Sequence, residues 1–259
     1  GEIMATAKPN VEDTRVSVWG KIIGGAAGFA FGGPLGALLG AVAGHAVDRY
    51  RAREVDGDDE GGTRKVAFTI GVIALGAKMA KADGVVTRDE IAAFREVFHV
   101  PEEEVRNVAR VWDLARQSSD GFEIYAKQIA DLFAPQAPVL EQLLGSLFHI
   151  ARADGQVHEA ERAYLREVAA IFGFDDTAFQ RLSAMWGDVD ADDPYAILGV
   201  EPTASDADIK SAHRAWIRSH HPDRLIAEGL PEELIEAATA KLADVNAAYD
   251  RIKALRGQT

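Results

Sequence analysis

Hydrophobic positions change their rhythm twice along the chain. From residue 18 to 47 the only formal charge is Lys21, and apolar residues run on without a period. At ~1.5 Å rise per residue a helix over this stretch exceeds the ~30 Å of a bilayer core, so the stretch predicts a membrane-spanning helix. Gly20, Gly24, Gly28, Gly32, Gly36, Gly40 and Gly44 recur every fourth residue and on that helix form one side-chain-free stripe, a face along which helices approach closely in lipid. Gly32-Gly33-Pro34 interrupts the run, which leaves a kinked helical hairpin as an alternative, and Ala41-Val42-Ala43 imitates the cleavage site of a secretory signal. From 63 to 187 the spacing becomes helical and amphipathic: Val66, Ile70, Ile73, Ala77 and Ala80, then Ile91, Phe94 and Phe98, then Leu140, Leu143, Leu144, Leu147 and Ile150. Strand-like alternation is missing, so the chain reads as all-α.

The middle region repeats itself. Ala80-Lys81-Ala82-Asp83-Gly84-Val85-Val86, followed by Glu90 and Arg95-Glu96-Val97, matches Ala151-Arg152-Ala153-Asp154-Gly155-Gln156-Val157, followed by Glu161 and Arg166-Glu167-Val168, at one constant offset. After a three-residue insertion Val111-Trp112 lines up with Met185-Trp186. Two copies of a helix, Asp-Gly turn, helix, helix unit are expected. Beyond a short acidic joint at 187–192 the pattern predicts a short helix near 195–198, a longer one over 206–220 and a third over 231–255. Ser205 with Asp208 makes a capping-box start for the second, and Pro231 suits the first turn of the third. The expected organisation is a tail at 1–17, the glycine-rich membrane segment at 18–47, a basic then acidic linker at 48–62, a helical bundle at 63–187 and a smaller helical domain at 188–259.

Charge and composition narrow the function. The 259 residues include no cysteine, which excludes disulfide scaffolds and cysteine-based zinc sites. A net charge of -13 argues against a general nucleic-acid binder. Residues 1–53 carry +2, 54–190 carry -11 and 191–259 carry -4, so the acidity sits in the middle. Arg49, Arg51, Arg53, Arg64 and Lys65 follow the apolar run, against Lys8, Arg15 and Lys21 before it, which favours a cytoplasmic C-terminal side. Enzyme motifs are wanting: His158-Glu159-Ala160-Glu161-Arg162 lacks the second histidine of a zinc protease, and the glycines at 20–44 fit neither a phosphate-binding loop nor a dinucleotide fingerprint. No enzymatic activity is expected of the chain itself.

His221-Pro222-Asp223 falls between the second and third C-terminal helices. Tyr195-Ala196-Ile197-Leu198-Gly199-Val200 precedes it, the helix Ile209-Lys210-Ser211-Ala212-His213-Arg214-Ala215-Trp216-Ile217-Arg218 leads into it, and Asn246-Ala247-Ala248-Tyr249 follows on the next helix. Ile209, Ala212, His213 and Trp216 share one helical face, while Lys210, Arg214 and Arg218 make a basic stripe at i, i+4 and i+8 on another. Together these residues resemble the J domain of DnaJ-type co-chaperones. The stretch His220-His221-Pro222-Asp223-Arg224-Leu225-Ile226-Ala227-Glu228-Gly229-Leu230-Pro231 is similar to the extended loop of membrane-anchored co-chaperones of the DjlA type. That family also has a glycine-rich membrane segment and a central TerB-like domain, so the likeness covers nearly the whole chain. His213 and Trp216 depart from its usual Tyr and Leu, and its Gly/Gln-rich linker has shrunk to the joint at 187–192.

The resemblance implies a co-chaperone that stimulates ATP hydrolysis by a DnaK-type chaperone at the cytoplasmic face of a bacterial inner membrane. It places His221, Pro222, Asp223, Lys210, Arg214, Arg218 and Arg224 at the partner contact, with Pro222 fixing the turn and Asp223 offering a carboxylate to a partner arginine. Membrane lipid is the second expected partner, the glycine face offers a homodimer contact, and nucleic acid is not expected. Likeness to TerB domains also makes Asp83, Glu90, Asp154 and Glu161 candidate ligands for a divalent cation, with no other cofactor implied. A plainer reading stays open: Asp-Gly suits a tight turn and Thr87 with Glu90 is a capping box, although His158 replaces the threonine in the second copy and leaves Glu161 without that partner. The alternative function is a metal- or stress-responsive TerB-like adaptor whose output is the J domain.

Overall fold

A computed structural model of the chain describes residues 32–43, 60–83, 87–118, 121–135, 137–187 and 193–257. Twelve α-helices lie among the described residues: α1 Gly33–Ala43, α2 Glu60–Asp83, α3 Arg88–Val97, α4 Val105–Gln117, α5 Phe122–Leu132, α6 Pro138–Ala151, α7 Glu159–Ile171, α8 Asp176–Leu182, α9 Pro194–Leu198, α10 Asp206–Ser219, α11 Pro222–Glu228 and α12 Ile235–Leu255. No strand occurs among these residues, as the helical spacing predicts. Local signals set several of the starts. Thr87 Oγ1 accepts from the Glu90 N–H at 3.1 Å while Glu90 Oε2 accepts from the Thr87 N–H at 2.6 Å, a reciprocal box that opens α3. Ser205 Oγ accepts from the Asp208 N–H at 3.1 Å and so caps α10, but the expected box is only half made, because the Asp208 carboxylate accepts from the Ser205 hydroxyl at 2.6 Å and not from its main chain.

Helix α2 is the axis of the central bundle. Its residues are buried without a break from 66 to 80, because α4, α5, α6 and α7 pack around it. Gly71 makes one of these contacts close: a Cβ there would stand 2.6 Å from Ile129 Cδ1 of α5. Two polar groups trapped inside find main-chain partners: Tyr164 donates its hydroxyl to the Leu75 carbonyl at 2.8 Å and Lys78 donates to the Ser118 carbonyl at 2.9 Å. The duplication is visible in three dimensions. α3 and α7 start at matching positions of the two repeats, and in each repeat a tryptophan lies on a helix glycine, Trp112 on Gly76 and Trp186 on Gly145.

Helices α9, α10 and α12 enclose a second, smaller core of Leu198, Ile209, Trp216, Val245, Ala248 and Ile252, to which Met185 of the central region adds a side chain. Ile209 and Trp216 are buried and Ala212 and His213 half-buried, the face the sequence predicts. His213 is fixed twice, by a 2.8 Å hydrogen bond to Asn246 Oδ1 and by stacking on Tyr249 at 4.2 Å between centroids.

Two parts of the chain differ from the sequence reading. The stretch after His221-Pro222-Asp223 is not a plain loop: Pro222 occupies the first turn of α11, and Gly229 ends it in the left-handed region at φ +116°. The glycine-rich segment differs more. Residues 18–31 and 44–47 lie outside the described residues, while α1 packs on α2, α4 and α5 of the bundle. Leu35, Leu38 and Leu39 of α1 are buried there, and Gln128 of α5 grips its start, donating to the Gly32 carbonyl at 2.8 Å and accepting from the Leu35 N–H at 2.9 Å. Among the described residues no helix is long and apolar enough to cross a membrane. Nor do the described glycines make one free face for a second copy: Gly32 and Gly40 are exposed, but Gly36 is buried.

Candidate functional site

Lys210, Arg214 and Arg218 stand on the outer face of α10, opposite its buried Ile209 and Trp216. All three are exposed and, among the described residues, none makes a salt bridge; with Ala207, Ser211 and Ala215 they line a shallow groove of about 490 Å³. Three unpaired cations along one groove on an acidic protein give a surface suited to a partner of opposite charge.

The stripe runs into the His-Pro-Asp turn. His221 is extended, at φ -61° and ψ 133°, and its Nδ1 accepts from the Asp223 N–H at 3.3 Å, so the histidine itself caps α11. Pro222 supplies a φ already suited to the first helical position and has no N–H to leave unpaired. The His221 and Asp223 side chains are 57% and 90% exposed, and Asp223 Oδ2 lies 3.7 Å from His221 Nδ1. Both are therefore open to a macromolecular partner. Arg224 differs from its expected role: its guanidinium donates to Glu228 Oε1 at 2.9 Å, one turn along the same short helix, so it is already paired.

The residue before the motif has a different environment. His220 is only 5% exposed; its ring stacks on Trp216 at 4.0 Å, and its Nε2 meets Glu141 Oε2 of α6 at 2.9 Å. Arg181 of α8 donates to the two oxygens of the same carboxylate, at 2.6 and 3.4 Å. Burial alone would raise the Glu141 carboxyl, but the hydrogen bond with His220 and the charge of Arg181 outweigh it and hold it below its ordinary value. On the far side of the turn Leu225, Leu230, Leu234 and Ala238 join the core of the central bundle. Gly229 lies so close to α2 that a Cβ there would meet Arg64 Cβ at 2.7 Å. Sequence reasoning missed this seam, although Glu141 carried a signal: it is a lone charge inside the apolar run of α6.

Three of the four candidate metal ligands have described side chains. Asp83's side chain lies outside the described residues, and among the rest no group of three or more His, Asp or Glu side chains could hold a metal ion. Glu90 serves the capping box of α3, and Glu161, against the expectation that His158 deprives it of that role, accepts from the His158 backbone N–H at 2.8 Å. The threonine hydroxyl is dispensable for this half of the box because the donor is main chain. Asp154 meets His158 Nε2 at 2.8 Å, and this hydrogen bond holds its carboxyl below the ordinary value.

Comparison with known proteins accounts for the same three regions. Residues 16–64 match the family model described as co-chaperone DjlA transmembrane domain, residues 69–184 that of tellurite resistance protein TerB, and residues 193–254 that of the DnaJ domain. Co-chaperone protein DjlA of Photobacterium profundum is 30% identical over 93% of this chain and 99% of its own length. The chain belongs to the DjlA co-chaperone family. DjlA proteins of Coxiella burnetii and Escherichia coli K12 are 30% and 27% identical, over 97% and 98% of their own lengths. No solved structure matches. The DnaJ-domain match spans α9 to α12 and so includes the basic groove and the His-Pro-Asp turn of this DjlA-family chain.

Proposed function

We propose that this J-domain co-chaperone stimulates ATP hydrolysis by a DnaK-type chaperone, with the chemistry taking place in the partner. The carrying observation is the exposed His221-Pro222-Asp223 turn at the end of the unpaired stripe Lys210, Arg214 and Arg218. The stripe supplies long-range attraction and orientation, and Asp223 supplies a carboxylate that a partner arginine can grip through two N–H groups. The N-terminal segment anchors the chain to a bacterial inner membrane with α9 to α12 on the cytoplasmic side, where an ATP-driven partner works. The match of residues 16–64 to a transmembrane domain supports the anchor, and Arg49, Arg51 and Arg53 support the orientation.

Single-turnover ATP hydrolysis by a DnaK-type chaperone, titrated with the full chain in detergent, tests this. Wild type is expected to raise the rate. His221→Gln is expected to abolish the increase while leaving the chain folded, its thermal midpoint lowered by no more than the loss of one helix cap, because the ring is exposed and bonds only within its own turn. Charge reversal at Lys210, Arg214 or Arg218 should weaken stimulation and flatten its dependence on salt. A rate that does not respond to the wild-type chain would sink the reading.

A further inference from the structure

The seam between the central bundle and the J-domain helices passes one residue from the His-Pro-Asp turn. Glu141 lies at the middle of that seam: it sits on α6, takes Arg181 from α8, and reaches across to His220 at the end of α10. Arg181 in turn lies against Gly199 at the end of α9, where a Cβ would stand 2.3 Å from its Cδ. Lys241 of α12 adds a 2.8 Å hydrogen bond to the Met185 carbonyl, and Lys65 of α2 pairs with Glu232 at 3.6 Å.

This arrangement constrains the turn from both flanks. Before it, His220 is wedged between the Trp216 ring and the Glu141 carboxylate, with Nδ1 toward the Trp216 carbonyl at 3.1 Å and the Ser219 hydroxyl at 2.8 Å. After it, Leu225 and Leu230 are fully buried in the bundle core. His221 and Asp223 are thus the exposed crest of a segment whose two ends are gripped by another domain. Buried and walled in, His220 has no surface to give a partner, and Glu141 has little more. Yet a charged carboxylate kept at an apolar helix face, with every contact directed at the J-domain side or at the arginine that lies against it, is a costly feature to retain for packing alone.

We propose that Glu141 of the central bundle is a positioning residue for the co-chaperone site, acting through His220 to hold the His221-Pro222-Asp223 turn in the orientation that triggers the partner. The central domain is then part of the stimulating apparatus and not only a spacer between membrane and J domain. The proposal rests on the co-chaperone reading above. It separates two contributions: the basic groove governs how tightly the partner is met, and the Glu141–His220 contact governs how effectively the bound turn acts.

The test is the same single-turnover titration with the full chain, read as two numbers, the plateau rate and the concentration giving half of it. Glu141→Gln keeps the shape of the side chain and one acceptor oxygen but removes the charge; it is expected to lower the plateau about fivefold, the size of coupling within one hydrogen-bonded network, with the half-saturating concentration unmoved. His220→Phe keeps the stack on Trp216 and loses the ring nitrogen that meets Glu141, and is expected to give the same loss. In the double variant the loss should be no larger than in either single one. If Glu141→Gln fails to fold, His220→Phe carries the test alone. Wild-type plateaus in the variants, losses that multiply in the double variant, or a shift confined to the half-saturating concentration would overturn the inference. A flat titration with the wild-type chain overturns the co-chaperone reading and this inference with it, an outcome distinct from active wild type with unaffected variants.

Discussion

A carboxylate buried in an apolar helix face survives only if its charge is answered at close range, and Glu141 is answered by Arg181 at 2.6 Å and His220 at 2.9 Å. Those partners make a pH dependence that can be signed. The folded carboxyl is held below its ordinary value, so the unfolded chain binds the proton more readily. The stabilisation from this group is therefore complete above the ordinary carboxylate range and is lost as pH falls through the lower, folded value. Urea midpoints measured from pH 7 downward should fall for wild type in acid, and Glu141→Gln should start lower at neutral pH and fall less steeply. Parallel curves for the two proteins would show that the carboxyl gains nothing from its partners. Asp154, held down by His158, titrates in both proteins and cancels in the comparison.

Elements set by their own sequence were legible, and elements set by their neighbours were not. The Thr87/Glu90 box and the Ser205 cap need only residues three apart, and both are in place, although Asp208 does not return a bond to the Ser205 main chain. The buried and exposed faces of α10 also follow from its spacing alone, which is why the basic stripe could be read before the fold. α11 could not, since its seven residues are too few for a helical period to stand out, and its order comes from burying Leu225 against another domain. Gly229 tests that dependence, with Gly155 as an internal control. Both have φ +116°, so replacing either with alanine imposes a comparable backbone strain of ~1–3 kcal/mol, but a Cβ at Gly155 meets nothing within 4 Å while one at Gly229 meets Arg64 Cβ at 2.7 Å. Gly229→Ala should lower the unfolding free energy by ~1–3 kcal/mol more than Gly155→Ala, because overpacking at a tight seam adds to the strain. Equal losses in chemical denaturation would mean that the seam opens at little cost and that α11 is ordered by its own caps.

On the scale of the whole molecule, one helix is claimed by two environments. α1 lies within the stretch that matches a transmembrane domain, yet its eleven residues reach only ~16 Å, about half of a bilayer core, and Leu35, Leu38 and Leu39 are buried in the central bundle. The same leucines cannot face lipid and protein together. Apolar periodicity could not decide between these fates, because a helix that is apolar on every side suits either a membrane or a protein core. The Gln128 clamp favours the bundle, since Gln128 belongs to α5 and ties the Gly32 carbonyl and the Leu35 N–H at the start of α1 to it. Membrane attachment is then expected to rest on other residues of 16–64, with α1 staying on the bundle while the chain is anchored. Leu38→Ala should accordingly lower the denaturation midpoint of the detergent-solubilised chain by the equivalent of ~2–3 kcal/mol, the cost of emptying a buried leucine site, and should leave resistance to alkaline extraction from membranes unchanged. An unaltered midpoint together with loss of the chain from alkali-washed membranes would place Leu38 in lipid and require α1 to leave the bundle when the protein inserts.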